Sequence, residues 1–198
     1  MIVYYNFMRL KDESKNDAIF TATIDLLNEI GFADTSMSKI AKRANISSST
    51  IYVYFENKDD MLKKAYLFVK QKLFEYLGDV IAGEMPVKET VVIIMRKLLD
   101  YMLENRSYFL FLEQFESSPF MEKLCLHDQS GGFMQMYHAY VNDAKAKGIL
   151  KDVDTSLLIM YCYFPMVYLA KDSFHDGKEI TEEIIEQAID LSWQAIRA

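Results

Sequence analysis

Glycine, proline and cysteine are all scarce in this sequence, which has seven, three and two of them among 198 residues. Few glycines and prolines leave few sharp turns, so long helices are expected rather than many short strands. Cys125 and Cys162 lack the spacing of zinc ligands and are too few for a disulfide framework, which indicates a reducing compartment. Because the three histidines are scattered and no nucleophile–base pattern is present, we predict no metal, no cofactor and no catalytic residues.

Long apolar runs are missing as well. The longest uncharged run, residues 155–170, has 16 residues and contains Pro165, which is shorter than the roughly 18 residues of a membrane span. The first eight residues, MIVYYNFM, lack the basic start and extended apolar stretch of a secretory signal. We therefore expect a cytoplasmic protein that does not bind membranes. The seven residues before Met8 fit no helical pattern, so Met8 is a second candidate for the native start.

Acidic residues outnumber basic ones, and the net charge is −7. The charges are unevenly distributed, because residues 9–72 hold 11 Lys/Arg and 9 Asp/Glu while the rest of the chain holds 11 and 20. A mildly basic segment joined to an acidic body can still meet phosphates, since only the contacting face must be positive. The distribution permits DNA binding and does not prove it.

Apolar residues recur at helical spacing through most of the chain. Residues 15–30 form one amphipathic helix that Gly31 ends, and residues 36–44 form a second. A long helix is predicted over residues 58–77, and further helices follow, down to a last one that Thr181 caps. With 51% hydrophobic residues available for a core, the pattern predicts an all-α protein of about nine helices.

The stretch ISSSTIYVYF, residues 46–55, has the β-branched and aromatic composition of a strand. Helices flank it and no nearby segment can pair with it, so a short helix is the better interpretation. On that helix Ile51 and Phe55 share one face. The core on which this face docks is predicted to include Ile19, Leu27 and Ile40. Hydroxyl groups and tyrosines then face outward, as in a helix-turn-helix whose second helix enters the DNA major groove.

A longer pattern runs through about forty residues of the same region. Its elements are Ile19 and Ala22, Gly31-Phe32, Thr35-Ser36, Ile40-Ala41, Ala44-Asn45-Ile46-Ser47, Ser49-Thr50-Ile51-Tyr52, Tyr54-Phe55 and Lys58. With so many elements in register, the segment resembles the DNA-binding head of TetR-family transcriptional regulators. Two residues depart from the family pattern, since Asn45 replaces the turn glycine and Ser49 replaces the glycine before Thr-Ile-Tyr.

The resemblance implies a helix-turn-helix domain over residues 9–57 and a regulatory domain over residues 58–198, with 58–77 as the connecting helix. It implies phosphate contacts from Thr35, Ser47, Tyr52, Tyr54 and Lys58. It implies that bases are approached by Ser38, Lys39, Ser48, Ser49, Thr50 and Val53, and Ser36 completes the predicted DNA-binding set.

The resemblance also implies a homodimer that pairs through the last two helices, residues 154–171 and 181–197. The predicted interface stripe is Ile184, Ile185, Ala188, Ile189, Trp193 and Ile196. An effector cavity for a small apolar or aromatic molecule is implied in the body. Its predicted lining is Met95, Leu99, Met102, Phe109, Leu112, Met134, Tyr137, Tyr161 and Phe164. Ordinary core packing explains each of these residues too, so both interpretations stay open.

The function that follows is a ligand-responsive homodimeric transcriptional regulator, specifically a repressor that an effector releases from a palindromic operator. One alternative is a helical DNA-binding protein without small-molecule control, which a cavity too small for a ligand would favour. The other alternative is an enzyme, which the missing catalytic patterns disfavour.

Overall fold

The computed structural model describes residues 2–81, 85–123, 132–177 and 179–198. The α-helices in these residues are α1 Ile2–Asp34, α2 Met37–Arg43, α3 Ser48–Tyr54, α4 Lys58–Leu77, α5 Val87–Glu104, α6 Arg106–Glu116, α7 Phe120–Lys123, α8 Gly132–Ala146, α9 Thr155–Asp176 and α10 Glu182–Ile196. The described part therefore has ten α-helices, and its β structure is an isolated bridge between Leu150 and Arg197. The predicted all-α class is confirmed. Among the described helices, none has both the length and the hydropathy that crossing a bilayer requires.

The helix boundaries follow the local signals closely, with two differences. Helix α4 begins and ends as predicted, and Gly31 has a φ of 75° that interrupts the helical geometry of α1. Helix α1 begins at Ile2 instead of residue 15, because no glycine or proline interrupts the backbone hydrogen bonding before Gly31. Helix α9 runs five residues past its predicted end and stops before Gly177, which has a φ of 61°.

Residues 1–70 and 107–128 form one compact unit, here called unit 1. Helices α2 and α3 pack there in sequence after α1. Their shared core contains Ile19, Leu26, Met37, Ile40, Ala41, Ile51, Phe55 and Met61. The predicted docking of Ile51 and Phe55 on Ile19 and Ile40 is confirmed, whereas Leu27 belongs to a second core. That second core contains Ile24, Leu27, Leu62, Ala65, Tyr66, Val69, Phe111, Leu112, Phe115 and Met121.

Polar side chains also tie α1 to α6 within unit 1. The amide of Asn28 donates to the backbone carbonyl of Ser107 at 2.8 Å, and the Ser107 hydroxyl donates to the Asp25 carboxylate at 2.9 Å. Helix α6 was predicted as part of the regulatory body, yet these bonds and the second core join it to the helices of the head.

Residues 71–106 and 129–198 form a second compact unit, unit 2. Helices α5, α9 and α10 pack against one another, and α8 packs against α9. The side chains buried most deeply in this packing include Met95, Leu99, Met166 and Ala170. Helix α4 starts in unit 1 and ends in unit 2, since the division falls after Lys70.

Candidate functional site

Helices α2 and α3 are each started by a serine and are joined by a tight turn. Ser36 accepts a hydrogen bond from the backbone N–H of Lys39 at 3.3 Å, which fixes the first turn of α2. Asn45 has a φ of 55° in the turn, a left-handed conformation that asparagine tolerates better than most residues. Ser47 then accepts a hydrogen bond from Thr50 N–H at 3.0 Å and starts α3. The turn therefore forms with asparagine where the family has glycine.

Helix α3 divides into an inward and an outward face. Ile51 and Phe55 are buried, while Tyr52 and Val53 are 58% and 79% exposed. The outward face also presents Ser48 and Ser49. Tyr54, in contrast, is half-buried and packs against the core of unit 1. The structure thus brings Ser48, Ser49, Tyr52 and Val53 to one accessible surface, and it turns Tyr54 partly inward.

Three hydroxyl groups at the start of α3 form a connected network. The Ser47 oxygen lies 2.8 Å from the Ser49 hydroxyl and 2.7 Å from the Thr50 hydroxyl. A network of this kind holds side chains in fixed rotamers before any ligand arrives. These contacts fix the positions of three hydroxyls that were predicted to meet DNA.

Two residues predicted to hold phosphates have structural partners at the end of α1. Thr35 is buried, and its hydroxyl donates to the Gly31 carbonyl at 2.7 Å. The Lys58 ammonium donates to the Phe32 carbonyl, and burial lowers the pKa of Lys58. Both side chains satisfy carbonyl groups that the end of a helix leaves without partners. Both side chains thus bond to the end of α1.

Helix α2 contributes the exposed positive charge beside α3. Lys39 and Lys42 are exposed, and the Lys39 ammonium donates to the Asp34 carbonyl at 2.7 Å. Arg43 forms a bidentate salt bridge with Glu29, in which Nη1 and Oε1 are 2.8 Å apart. Hydrogen bonding to Arg43 lowers the pKa of Glu29. Lys42 was not in the predicted DNA-binding set, and its spacing of three residues from Lys39 places both lysines on one face of α2.

The residues predicted to line an effector cavity are not brought together as a set. Met95, Leu99 and Met102 are buried on α5 in unit 2, whereas Phe109 and Leu112 are buried on α6 in unit 1. Met134 is half-buried, and Tyr161 and Phe164 are exposed on α9. Only Tyr137 of the set lines the cavity described next. Cys125, for which no metal or catalytic role was predicted, lies outside the described residues.

A small apolar cavity lies inside unit 2. Its lining residues are Val91, Ile94, Tyr137, Tyr140, Val141, Leu150, Leu158, Cys162 and Ile196. Its volume is about 10 Å³, the room of roughly one water molecule. The Tyr140 hydroxyl is buried and has no hydrogen-bond partner within the described residues. Burial raises the pKa of the Cys162 thiol to about 12 and also raises the pKa of Tyr137.

The predicted dimer stripe on α10 is split between two faces. Ile189, Trp193 and Ile196 are buried in this chain, Ile185 and Ala188 are half-buried, and Ile184 is exposed. The three buried residues pack into the interior of their own unit. Their burial is what the alternative interpretation, ordinary core packing, predicts, while the part of the stripe that stays exposed is Ile184.

Comparison with known proteins matches both halves of the chain. A family described as bacterial regulatory proteins of the tetR family matches residues 19–65, and a tetracyclin repressor-like C-terminal domain matches residues 86–197. An HTH-type transcriptional regulator from Haemophilus influenzae is 27% identical over 190 residues, which cover 96% of this chain and 100% of the relative.

Solved structures agree with these matches. A TetR-family transcription regulator from Marinobacter aquaeolei VT8 has a TM-score of 0.83 and 26% identity, and the similarity covers 96% of this chain and 98% of that one. A TetR-family regulator from Haemophilus influenzae has a TM-score of 0.82 and 26% identity, with 95% and 99% covered. The relatives are transcriptional regulators and not enzymes. Since the C-terminal match spans more than half of the sequence and the N-terminal match coincides with the α2–turn–α3 arrangement, the chain belongs to the TetR family of DNA-binding helix-turn-helix transcriptional regulators.

Proposed function

We propose that this chain is a homodimeric repressor that inserts α3 into the major groove of a palindromic operator and leaves it when a small molecule binds in unit 2. The observation that carries the proposal is an apolar surface on α9 and α10, here called the α9–α10 face. Its exposed side chains are Leu157, Met160, Tyr161, Phe164 and Tyr168 on α9, and Ile184 and Leu191 on α10.

The spacing of these residues supports a helix-pairing surface. Residues 160 and 161 each lie three or four positions from residues 157 and 164, and residue 168 lies four positions after 164, so the five residues form one stripe along α9. Monomeric soluble proteins rarely expose large contiguous apolar patches, because exposed apolar surface is unfavourable in water. Two copies related by a two-fold axis would cover each other's face and form a four-helix arrangement. On α10 the paired surface would contain Ile184 and Leu191, which lie on the side of the helix opposite the buried Ile189 and Trp193.

A dimer also satisfies the requirement of DNA recognition. One helix-turn-helix head contacts too few base pairs to identify one site in a genome, and two heads placed on successive turns of the duplex overcome this limit. The two-fold symmetry of the protein then corresponds to a palindromic operator.

Two methionines of equal exposure provide the test. Met160 on α9 and Met136 on α8 are both 46% exposed, but only Met160 belongs to the α9–α10 face. We expect Met160→Asp to convert the dimer to a monomer in light scattering and to weaken operator binding at least tenfold. Met136→Asp is the matched control and should leave both unchanged. A wild-type monomer, or an intact dimer in Met160→Asp, would refute the pairing surface.

The proposed effector site is the cavity of unit 2. The cavity of unit 2 has an apolar lining with one buried hydroxyl that lacks a partner, which suits a small apolar or aromatic molecule with one polar group. Ligand cavities usually measure roughly 300–1,000 Å³, so the surrounding helices must separate before an effector fits. Such a separation would give the two states that ligand control requires.

Helix α4 is the element through which we propose that this change reaches the DNA. It starts in unit 1 with Lys58 and ends in unit 2 with Leu77. Within unit 1, Lys70 on α4 pairs with Glu116 on α6 at 3.4 Å, and Asp59 on α4 pairs with Lys123. If α4 shifts, the helices of unit 1 that are paired with it would shift too. The distance between the two recognition helices of the dimer would then change.

The small cavity volume favours one other function, that of a DNA-binding regulator without small-molecule control. Screening apolar and aromatic compounds separates the two, with both thermal stability and operator release measured. Compounds that raise the melting temperature and release DNA support ligand control. Tight operator binding that no compound changes supports the alternative.

A further inference from the structure

Val53 is an aliphatic residue that lies largely exposed on α3 of the head. Its side chain is 79% exposed, more than that of Leu191 on the α9–α10 face at 71%. Valine is also a weaker helix former than alanine, because its branched side chain loses rotamer freedom in a helix. Neither burial in this chain nor helix stability therefore explains a valine at this position of α3.

The composition of α3 restricts what the helix can recognise. Its sequence SSTIYVY contains no arginine, lysine, asparagine or glutamine. Those are the side chains that bind guanine or adenine through paired hydrogen bonds in the major groove. Serine hydroxyls can bond to any base, so they discriminate weakly. An exposed branched alkyl group, in contrast, complements one feature of the groove, the C5-methyl group of thymine.

The neighbouring side chains permit a close approach to the groove floor. Ser49 lies one helical turn before Val53, and Ser48 precedes it, and both are small and exposed. The Ser49 hydroxyl lies 2.8 Å from the Ser47 hydroxyl, so it already has a hydrogen-bond partner at the start of the helix. Val53 is thus an exposed aliphatic side chain beside two small serines on the accessible surface of α3.

We infer that Val53 reads the methyl group of a thymine in each operator half-site and thereby makes an A·T pair necessary at that position. The inference rests on the proposed insertion of α3 into the major groove. It adds the base that is recognised and the atom that is recognised on it.

Replacing thymine by uracil tests the inference, since it removes only the C5-methyl group. The operator is first selected from random DNA with the wild-type dimer, and each thymine of a half-site is then replaced separately. At one position we expect uracil to weaken wild-type binding about fourfold, the effect of one apolar carbon. In Val53→Ala the same replacement should have a clearly smaller effect, because the two γ-methyl groups are missing. Val53→Thr keeps one methyl group and should retain part of the discrimination.

The outcomes separate this inference from the proposed function. A palindrome that wild-type protein binds equally well with uracil at every thymine overturns the role of Val53 and leaves the repressor proposal intact. A uracil effect that persists undiminished in Val53→Ala also overturns it, since another residue would then contact the methyl group. Failure to select any DNA sequence overturns both. Because Val53 is exposed, Val53→Ala should keep the wild-type melting temperature, which excludes misfolding as a cause.

Discussion

The side-chain oxygen of Ser47 accepts a hydrogen bond from the backbone N–H of Thr50 at 3.0 Å, and this bond starts the helix that carries the exposed Val53. Resemblance to the family assigns the same hydroxyl to a DNA phosphate. The two roles are separable, because a cap requires an acceptor oxygen whereas a phosphate contact requires that this group carry no negative charge.

Substitutions of Ser47 should therefore affect stability and DNA binding differently. Ser47→Ala removes the cap and should lower the free energy of unfolding by about 1 kcal/mol. Ser47→Asp preserves an acceptor and should keep the melting temperature, but its charge should repel the backbone and weaken DNA binding. Thermal denaturation and fluorescence anisotropy measure the two effects. Wild-type DNA affinity in Ser47→Asp would show that no phosphate lies near this position.

Lys58 poses a similar question, since its ammonium donates to the Phe32 carbonyl and is partly buried. Lys58→Met keeps the length of the aliphatic chain, removes the charge and leaves that carbonyl without its partner. We expect a lower melting temperature. If the ammonium also neutralises a phosphate when DNA binds, the negative slope of log K against log salt should become less steep by about one for each head.

A second lysine controls for the loss of overall charge. Lys97 lies over the Tyr76 ring in unit 2, with its nitrogen 4.8 Å from the ring centre. Lys97→Met should leave the salt slope unchanged. If Lys58→Met lowers the melting temperature and the slope equals that of wild type, Lys58 has a structural role alone.

The buried thiol of Cys162 makes stability depend on alkaline pH. Burial raises the pKa of this thiol from 9.0 to about 12. Between these values the unfolded chain loses the proton and the folded chain keeps it, so the unfolded state is favoured as pH rises. Below pH 9 both states are protonated and the effect vanishes. The free energy of unfolding should fall by up to about 1.4 kcal/mol per pH unit above pH 9.

Urea unfolding at pH 8, 9 and 10 measures this dependence, with Cys162→Ala as the comparison. The variant should be less stable at pH 8, because a buried side chain is shortened, but its stability should decline less from pH 9 to 10. Equal declines in the two proteins would mean that Cys162 is accessible to solvent in the native state.

Local signals were sufficient for much of the head. Positive φ angles occur at Gly31 and Asn45, as these residue types predict, and α3 is capped by Ser47. The core contains Ile51 and Phe55, as their spacing indicates. These features depend on residues within a few positions of one another, so a single sequence contains the information. The strand-like composition of α3 was misleading on its own, because docking on neighbouring helices outweighs propensity in a seven-residue helix.

The roles of individual side chains were harder to predict. Thr35 and Lys58 carry hydrogen-bonding groups that suit a phosphate, yet both bond to carbonyls at the end of α1. Trp193 lies on an apolar stripe that could equally face a partner or the protein's own interior. Periodicity reveals that a helix has an apolar face, but it does not reveal what covers that face.

The sequence by itself determined the helical class, the positions of most helix ends and the helix-turn-helix, because capping, turn and spacing preferences act over a few neighbouring residues. Only the tertiary structure decided that α6 joins the helices of unit 1 and that Trp193 is buried while Leu191 is exposed. These outcomes depend on contacts between residues far apart in the chain, which no local preference specifies.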